Sequence, residues 1–460
     1  MGDWMPMKEV MEETEVDQHL NALLTNSSAI QALGETVQGT LGPKGLDCML
    51  VDEYGGVVVT NDGITILKTM DLNHPAARLL LSAVENQEAQ VGDGTTTTAI
   101  LAATLVTAGT HQIMRGVPAI KVVEGIRYGI AKALKVLKTM VTPVTDLNSG
   151  ILERIALVAG RENHELAQLV IEAARALKGD KLNEPGFRLC DQVIALEGSE
   201  SRLIPGTIVD REPLNRIMPR HLTNAKILIL DDALEPERLD AEALGTESGF
   251  NRMLHNDLEF KTDLLKLAEL GIGAIFTDRA ISDEAEAVLT DLNILGVQGV
   301  ARKEWLRLSE MTGARPLKRS ALAKPLAELA GMAGSAATIS VDDQFKQIRV
   351  LATAEKPFVT VLTGALTKEV VCERERIAQD AAAAVQSAWL GGVVPGGGSV
   401  ELAISRILRQ DAPQGVISYG YDCVVEALRK PMSQICLNAG FNPLEKSGEA
   451  LLAQAEQNNF

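Results

Sequence analysis

The hydrophobic pattern of this chain changes its period twice, and that change limits the fold more than any other feature. From residue 16 to about residue 140, apolar residues recur at three- and four-residue spacing, as in helices that bury one stripe. Between about 226 and 292, short apolar runs alternate with helical stretches, the pattern of an α/β domain. From about 368 onward the helical period returns. Helical ends around an α/β middle predict an end domain with a middle domain inserted into it. The 460 residues exceed one small core, and at roughly 100–200 residues per domain they suggest two to four domains.

Leu20, Leu23, Leu24, Ile30, Leu33 and Val37 predict a helix over 16–40, stopped by Gly39 and the Gly42-Pro43 pair. Runs at 48–51 and 57–60 flank Glu53-Tyr54-Gly55-Gly56 and predict a hairpin. Asn61-Asp62-Gly63 is a sharp turn before Ile64-Thr65-Ile66-Leu67, a run of β-forming residues. Helices are predicted over 75–90, 95–114 and 118–140, the first two separated by Gly92-Asp93-Gly94. In the middle, 226–230 and 271–277 read as strands, and 259–270 and 282–292 as helices. Residues 235–257 form a polar, acidic insertion carrying Leu244, Phe250, Met253 and Leu254, which on its residues alone reads as a surface loop with one short helix. A strand at 358–362 and a helix over 368–390 lead into Val393-Val394-Pro395-Gly396-Gly397-Gly398.

A net charge of -17 argues against nucleic-acid and anionic-membrane partners, which need a basic surface. At 3% aromatic residues, stacking platforms for single strands are not expected. Cys48, Cys190, Cys372, Cys423 and Cys436 are scattered without a Cys-x-x-Cys pair, which fits reduced thiols rather than disulfides or zinc. The start of the chain lacks a signal-peptide pattern, and no apolar run approaches a membrane span, so a cytoplasmic location is expected.

Four segments could carry chemistry. Thr40-Leu41-Gly42-Pro43-Lys44-Gly45 places glycines beside a helix end, where backbone can approach phosphate, although Gly-Pro-Lys-Gly is also an ordinary turn. Gly92-Asp93-Gly94-Thr95-Thr96-Thr97-Thr98 opens an apolar helix. A helix start offers N–H groups and a positive dipole end to an anion, the threonines add hydroxyls, and Asp93 is a carboxylate of the kind that holds Mg2+. A threonine N-cap explains part of this pattern, but a cap needs one such residue. Asp62 is accounted for by its turn, and Asp380 by a solvated helix face. There is no Gly-x-x-x-x-Gly-Lys-Ser/Thr motif, which excludes an ordinary P-loop. The six histidines show no metal-ligand spacing.

Taken together, 40–45, 59–67, 91–98 and 393–398, with Arg374-Glu375-Arg376 ahead of Asp380-Ala381, resemble the chaperonin family in order and approximate spacing. The wording is closest to the thermosome-like (group II/III) branch. The resemblance implies a multidomain α/β and α chaperonin fold. A mostly helical equatorial ATPase domain would comprise 1–142 and 395–460. A small intermediate hinge domain would comprise 143–212 and 359–394. An inserted α/β apical substrate-binding domain would comprise 213–358, with a lid protrusion near 235–257. It further implies that Asp93 binds Mg2+, and that Asp62 and Asp380 position and activate the hydrolytic water. Leu41, Gly42, Gly63, Gly94, Thr95, Thr96 and Thr97 would line the ATP phosphates, with Gly397 against the nucleoside. The implied partners are non-native protein clients and further copies in stacked rings.

Two departures from the family pattern stand out. Arg161 follows Ala159-Gly160 where the thermosome-like family usually has lysine. It keeps the positive charge of a γ-phosphate sensor but changes its geometry. Family members also continue several dozen residues past the position of Phe460, with nucleoside-pocket residues and a strand that pairs with a neighbour's hairpin, here matched by 48–60. Two other function classes follow: a chaperonin-like binding or scaffold protein that does not cycle ATP, and a soluble ATP-dependent enzyme acting on a small molecule.

Overall fold

The computed structural model describes residues 7–51, 57–237, 247–354 and 356–457. The expected turn Glu53-Tyr54-Gly55-Gly56 and Leu244 of the insertion lie outside the described residues. In chain order the first elements are α1 (Met7–Gln38), β1 (Cys48–Val51), β2 (Val57–Thr60), α2 (Gly63–Thr69), α3 (Pro75–Gln90), α4 (Thr95–Met114) and α5 (Ala119–Met140). There follow α6 (Gly150–Ala159), α7 (His164–Leu182), β3 (Val193–Glu197), β4 (Arg202–Ile204), β5 (Gly206–Val209), β6 (His221–Leu230), α8 (Glu247–Glu269), β7 (Ile272–Thr277), α9 (Asp283–Asp291) and β8 (Leu295–Val297). The remainder is α10 (Arg302–Thr312), α11 (Leu326–Ala330), β9 (Gly334–Asp342), β10 (Gln347–Leu351), β11 (Thr360–Ala365), α12 (Lys368–Gly391), α13 (Ser399–Gln410), α14 (Ile417–Asn438) and α15 (Pro443–Gln457). The chain divides into two compact units, 1–146 with 383–460, and 147–382.

The first unit is helical around α4, which packs against α1, α2, α3, α5 and α14. Its sequence suits a surrounded helix, because small residues such as Ala99, Ala103 and Ala108 are buried and let neighbours approach closely. Leu33, Val37, Leu80, Val84 and Ile100 form one core with α2, and Val400, Ile404, Tyr421 and Val424 form a second between α5, α13 and α14. The antiparallel β1–β2 ribbon pairs Met49 with Val59 and Leu50 with Val58.

One expectation is overturned here. Ile64-Thr65-Ile66-Leu67, rich in β-forming residues, is helix α2. Asp62 caps it, and Ile64, Ile66 and Leu67 are buried on the core shared with α1, α3 and α4. Burial plus an N-cap outweighs the few tenths of a kcal/mol per residue by which β-branched side chains disfavour helix.

The second unit holds a six-stranded sheet of order β5-β10-β9-β6-β7-β8. β6, β7 and β8 run parallel through α8 and α9, while β5, β10 and β9 pair antiparallel. Ile227, Leu228, Ile229 and Leu230 are all fully buried, as expected for a parallel strand covered on both faces. A three-stranded sheet, β3-β11-β4, has β11 parallel to β3 and antiparallel to β4. The predicted helix 259–270 proves to be the second half of α8, so the helix within the 235–257 insertion is the start of one 23-residue helix rather than a short separate one.

Candidate active site

Helices α2 and α4 begin side by side, and one carboxylate joins their starts. Asp62, the N-cap of α2, accepts hydrogen bonds at Oδ2 from the Thr65 N–H (3.2 Å) and the Thr65 hydroxyl (2.6 Å). Its Oδ1 accepts from the hydroxyl of Thr95, the first residue of α4, at 3.2 Å. The approach is so close that a Cβ on Gly63 would lie 2.5 Å from Thr96 Oγ1 and 3.0 Å from Thr96 Cα. Two positive helix ends and their leading N–H groups are thereby concentrated in one place, which favours an anion.

Gly94 starts α4 in the left-handed region (φ 77) with no side-chain cap bond, a conformation that a Cβ would penalise. Its N–H donates to Asp93 Oδ1 at 2.6 Å, and Gln87 Nε2 donates to the Asp93 carbonyl at 2.9 Å. Crowding of the carboxyl by protein atoms raises the Asp93 pKa, the Gly94 N–H opposes this, and the charge of Asp62 adds to the rise. The residue as a whole is nonetheless exposed. Water and ions therefore reach it and screen the shift. Thr96 and Thr97 occupy the half-buried first turn of α4.

Helix α14 supports the two glycine loops. Asn438 Nδ2 donates to the carbonyls of Gln38 (2.8 Å) and Leu41 (2.9 Å), and Gln434 Nε2 holds the Asn438 side-chain oxygen at 2.9 Å. Ile435 lies against Gly42, and the backbone of Met432 lies against Gly398 at the start of α13. Met432, Ile435 and Asn438, three residues apart in turn, therefore position 41–42 and 397–398 from one helix. Leu41 also packs on the core that α2 and α4 share. A Cβ built on Gly397 meets no atom within 4 Å, so its backbone borders open space.

Arg161 and Asp380 lie in the second unit. Arg161 follows α6, and its Nη1 donates to Glu373 Oε1 of α12 at 2.6 Å. Arg376 pairs with the same Glu373 (2.8 Å) and places Nη1 3.6 Å from Asp380 Oδ2. Glu373, Gln87, Met432, Ile435 and Asn438 were not singled out by sequence reasoning, because their importance arises from tertiary contacts. Thr65 was legible in principle, as the third helical residue after an aspartate N-cap.

Among the described residues, no group of three or more His, Cys, Asp or Glu could hold a metal alone, and no helix is long and apolar enough to cross a membrane. Paired helix starts with a shared carboxylate and threonines, without a P-loop, together with an α/β unit set between the chain ends, are the arrangement of the chaperonin class. The chain belongs to the TCP-1/cpn60 chaperonin family, which matches residues 33–460. It is 34% identical over 458 residues to thermosome subunit 1 of Haloferax volcanii, covering 97% of this chain and 81% of that one. It is 32% identical over 461 residues to thermosome subunit alpha of Halobacterium salinarum, with the same coverage of 97% and 81%. A crystal structure of a group III chaperonin in the open state superimposes with a TM-score of 0.84 at 42% identity, covering 96% of this chain and 90% of that one. The protein is thus an ATP-dependent chaperonin, an ATPase that couples hydrolysis to protein folding. Its family acts on non-native proteins and forms oligomeric rings. These relatives do not favour the non-cycling scaffold reading.

Proposed function

We propose that Mg-ATP binds at the adjoining starts of α2 and α4, and that its hydrolysis drives enclosure and folding of non-native proteins inside stacked rings in the cytoplasm. The observation that carries this reading is the Asp62–Thr95 hydrogen bond, which fixes a carboxylate between two helix N-termini. The residues fit such a ligand. Mg2+ takes one or two carboxylates and completes its shell with phosphate oxygens and water, so the lack of a larger acidic cluster is no obstacle.

In this reading Asp93 holds Mg2+, which supplies charge neutralisation at the phosphates. Leu41, Gly42, Gly63, Gly94, Thr95, Thr96 and Thr97 line the phosphates through backbone N–H groups and hydroxyls, and Gly397 lies against the nucleoside. Asp62 and Asp380 orient the attacking water and take up its proton. Arg161 senses the γ-phosphate. The equatorial (1–142, 395–460), intermediate (143–212, 359–394) and apical (213–358) divisions follow the family pattern, with the lid near 235–257. Asp380 belongs to the intermediate division, so hydrolysis couples to hinge closure.

The test is Asp380→Ala. It should bind ATP with unchanged affinity and hydrolyse it about 100-fold or more slowly, the scale of a lost acid–base group. Turnover at the unmutated rate would remove Asp380 from the mechanism.

A further inference from the structure

The loop that ends α6 is held rigidly in a costly conformation. Arg161 (φ 52) and Glu162 (φ 61) are consecutive non-glycine residues in the left-handed region, which L side chains rarely adopt. Three backbone bonds fix the turn: Arg161 N–H to Val158 O (3.2 Å), Glu162 N–H to Leu157 O (2.8 Å) and Asn163 N–H to Gly160 O (2.9 Å). Asn163 then caps α7 by accepting from the Leu166 N–H at 3.1 Å. The Arg161 guanidinium therefore projects from a fixed point, and it ends on Glu373.

Glu373 is shared. Its carboxylate takes Arg161 on one side and Arg376 on the other, with Arg376 Nε and Nη2 at 3.2 and 2.8 Å. Arg376 and Asp380 are one helical turn apart on α12, with 3.6 Å between Nη1 and Oδ2. Charges thus alternate along Arg161, Glu373, Arg376 and Asp380. The loop also backs onto this stretch, since a Cβ on Gly160 would lie 3.6 Å from the Cβ of Ala381. An isolated surface ion pair contributes little stability, but a planar guanidinium gripped through two nitrogens is confined in direction. With Arg376 held by Glu373, its contact with Asp380 stays long. Loss of Glu373 removes that two-nitrogen grip from Arg376, one helical turn from Asp380.

We propose that Glu373 is a positioning residue for hydrolysis. It anchors Arg161 and Arg376 together beside Asp380, and so ties the 160–162 loop to the placement of that carboxylate. This rests on the assignment of Asp380 to the hydrolytic water made above.

The experiment is steady-state ATP turnover of the assembled protein carrying Glu373→Gln, Glu373→Asp, Arg161→Ala, Arg376→Ala, each Arg variant combined with Glu373→Gln, and Asp380→Ala. Glu373→Gln is expected to lower kcat about tenfold while KM for ATP stays within about twofold, the split expected when an interaction acts only on the chemical step. Glu373→Asp, which keeps the charge, recovers part of the rate. In the Glu373→Gln background the Arg161 and Arg376 changes cost little more, because all three act through one network. Full activity of Glu373→Gln, a rise in KM alone, or effects that multiply independently would overturn the relay, even if Asp380→Ala is inactive. An Asp380→Ala protein with normal turnover would overturn the underlying assignment and the relay with it.

Discussion

At the scale of single residues, Asp93, the proposed Mg2+ ligand, shows how a carboxyl can work against the fold that holds it. Its pKa is raised by crowding and by Asp62, so the folded chain binds this proton more tightly than the unfolded chain. A raised carboxyl contributes stability below the usual carboxylate range and loses it as pH rises through the folded-state pKa. Asp93→Asn should remove that loss. In thermal melts without Mg2+ or nucleotide, the variant should match the parent at acid pH and melt at or above the parent's temperature near pH 7. Added Mg2+ with ATP should reverse the order, since a bound divalent cation favours the carboxylate. A parent that gains stability relative to Asp93→Asn as pH rises without Mg2+ would contradict this account. Asp93 was legible in the sequence because a carboxylate between two glycines, ahead of four threonines, exceeds what a simple helix cap requires. Glu373 was not legible, because an acidic residue among alternating charges on a helix looks like solvated surface until its partners from another loop are seen.

At the scale of elements, the long helices were readable and the short ones less so. Helices α3 and α4 fall where the apolar period and the Gly92-Asp93-Gly94 break place them. Helix α2 did not, since its seven residues are too few for a period to show and its β-branched content points the other way. The short strands β4, β5 and β8 escaped notice for a similar reason, being three or four residues long. What fixes α2 is tertiary contact, and Gly63 is where that contact is closest. Gly63→Ala would push a methyl carbon to 2.5 Å from Thr96 Oγ1, forcing the starts of α2 and α4 apart. Overpacking of this kind costs about 1–3 kcal/mol. Because the Asp62–Thr95 bond spans the same gap, the ATPase should suffer more than the fold. Circular dichroism and a melting curve should show a folded, modestly destabilised protein, while ATP turnover falls at least tenfold, the order of a misplaced reacting group. Normal turnover in a destabilised protein would mean that the two helix starts need not meet for hydrolysis.

At the scale of the whole molecule, the β1–β2 ribbon poses a physical problem that assembly would solve. Cys48 and Leu50 pack against the core of the first unit, while Met49 and Val51 turn outward, 70% and 64% exposed, with Val59 opposite Met49 at 53%. A two-stranded ribbon is marginal alone, and an apolar ladder along it invites pairing with another chain. Family membership gives the setting, since chaperonins act as oligomeric rings. A ring subunit that leaves this ladder exposed in isolation should bury it against a neighbouring copy. Light scattering of the unmutated protein should then give an oligomer far heavier than a monomer, and a mass of roughly sixteen subunits would support the stacked rings proposed above. Met49→Lys combined with Val59→Lys places two positive charges directly opposite each other on that face, where like charges repel. The subunit core is untouched, so the variant should keep the parent's circular dichroism yet shift toward monomer. A full-mass particle from the double variant would show that the ribbon stays outside the subunit interface. A monomeric parent protein with or without Mg-ATP would leave the family fold intact but remove the folding chamber from its mechanism.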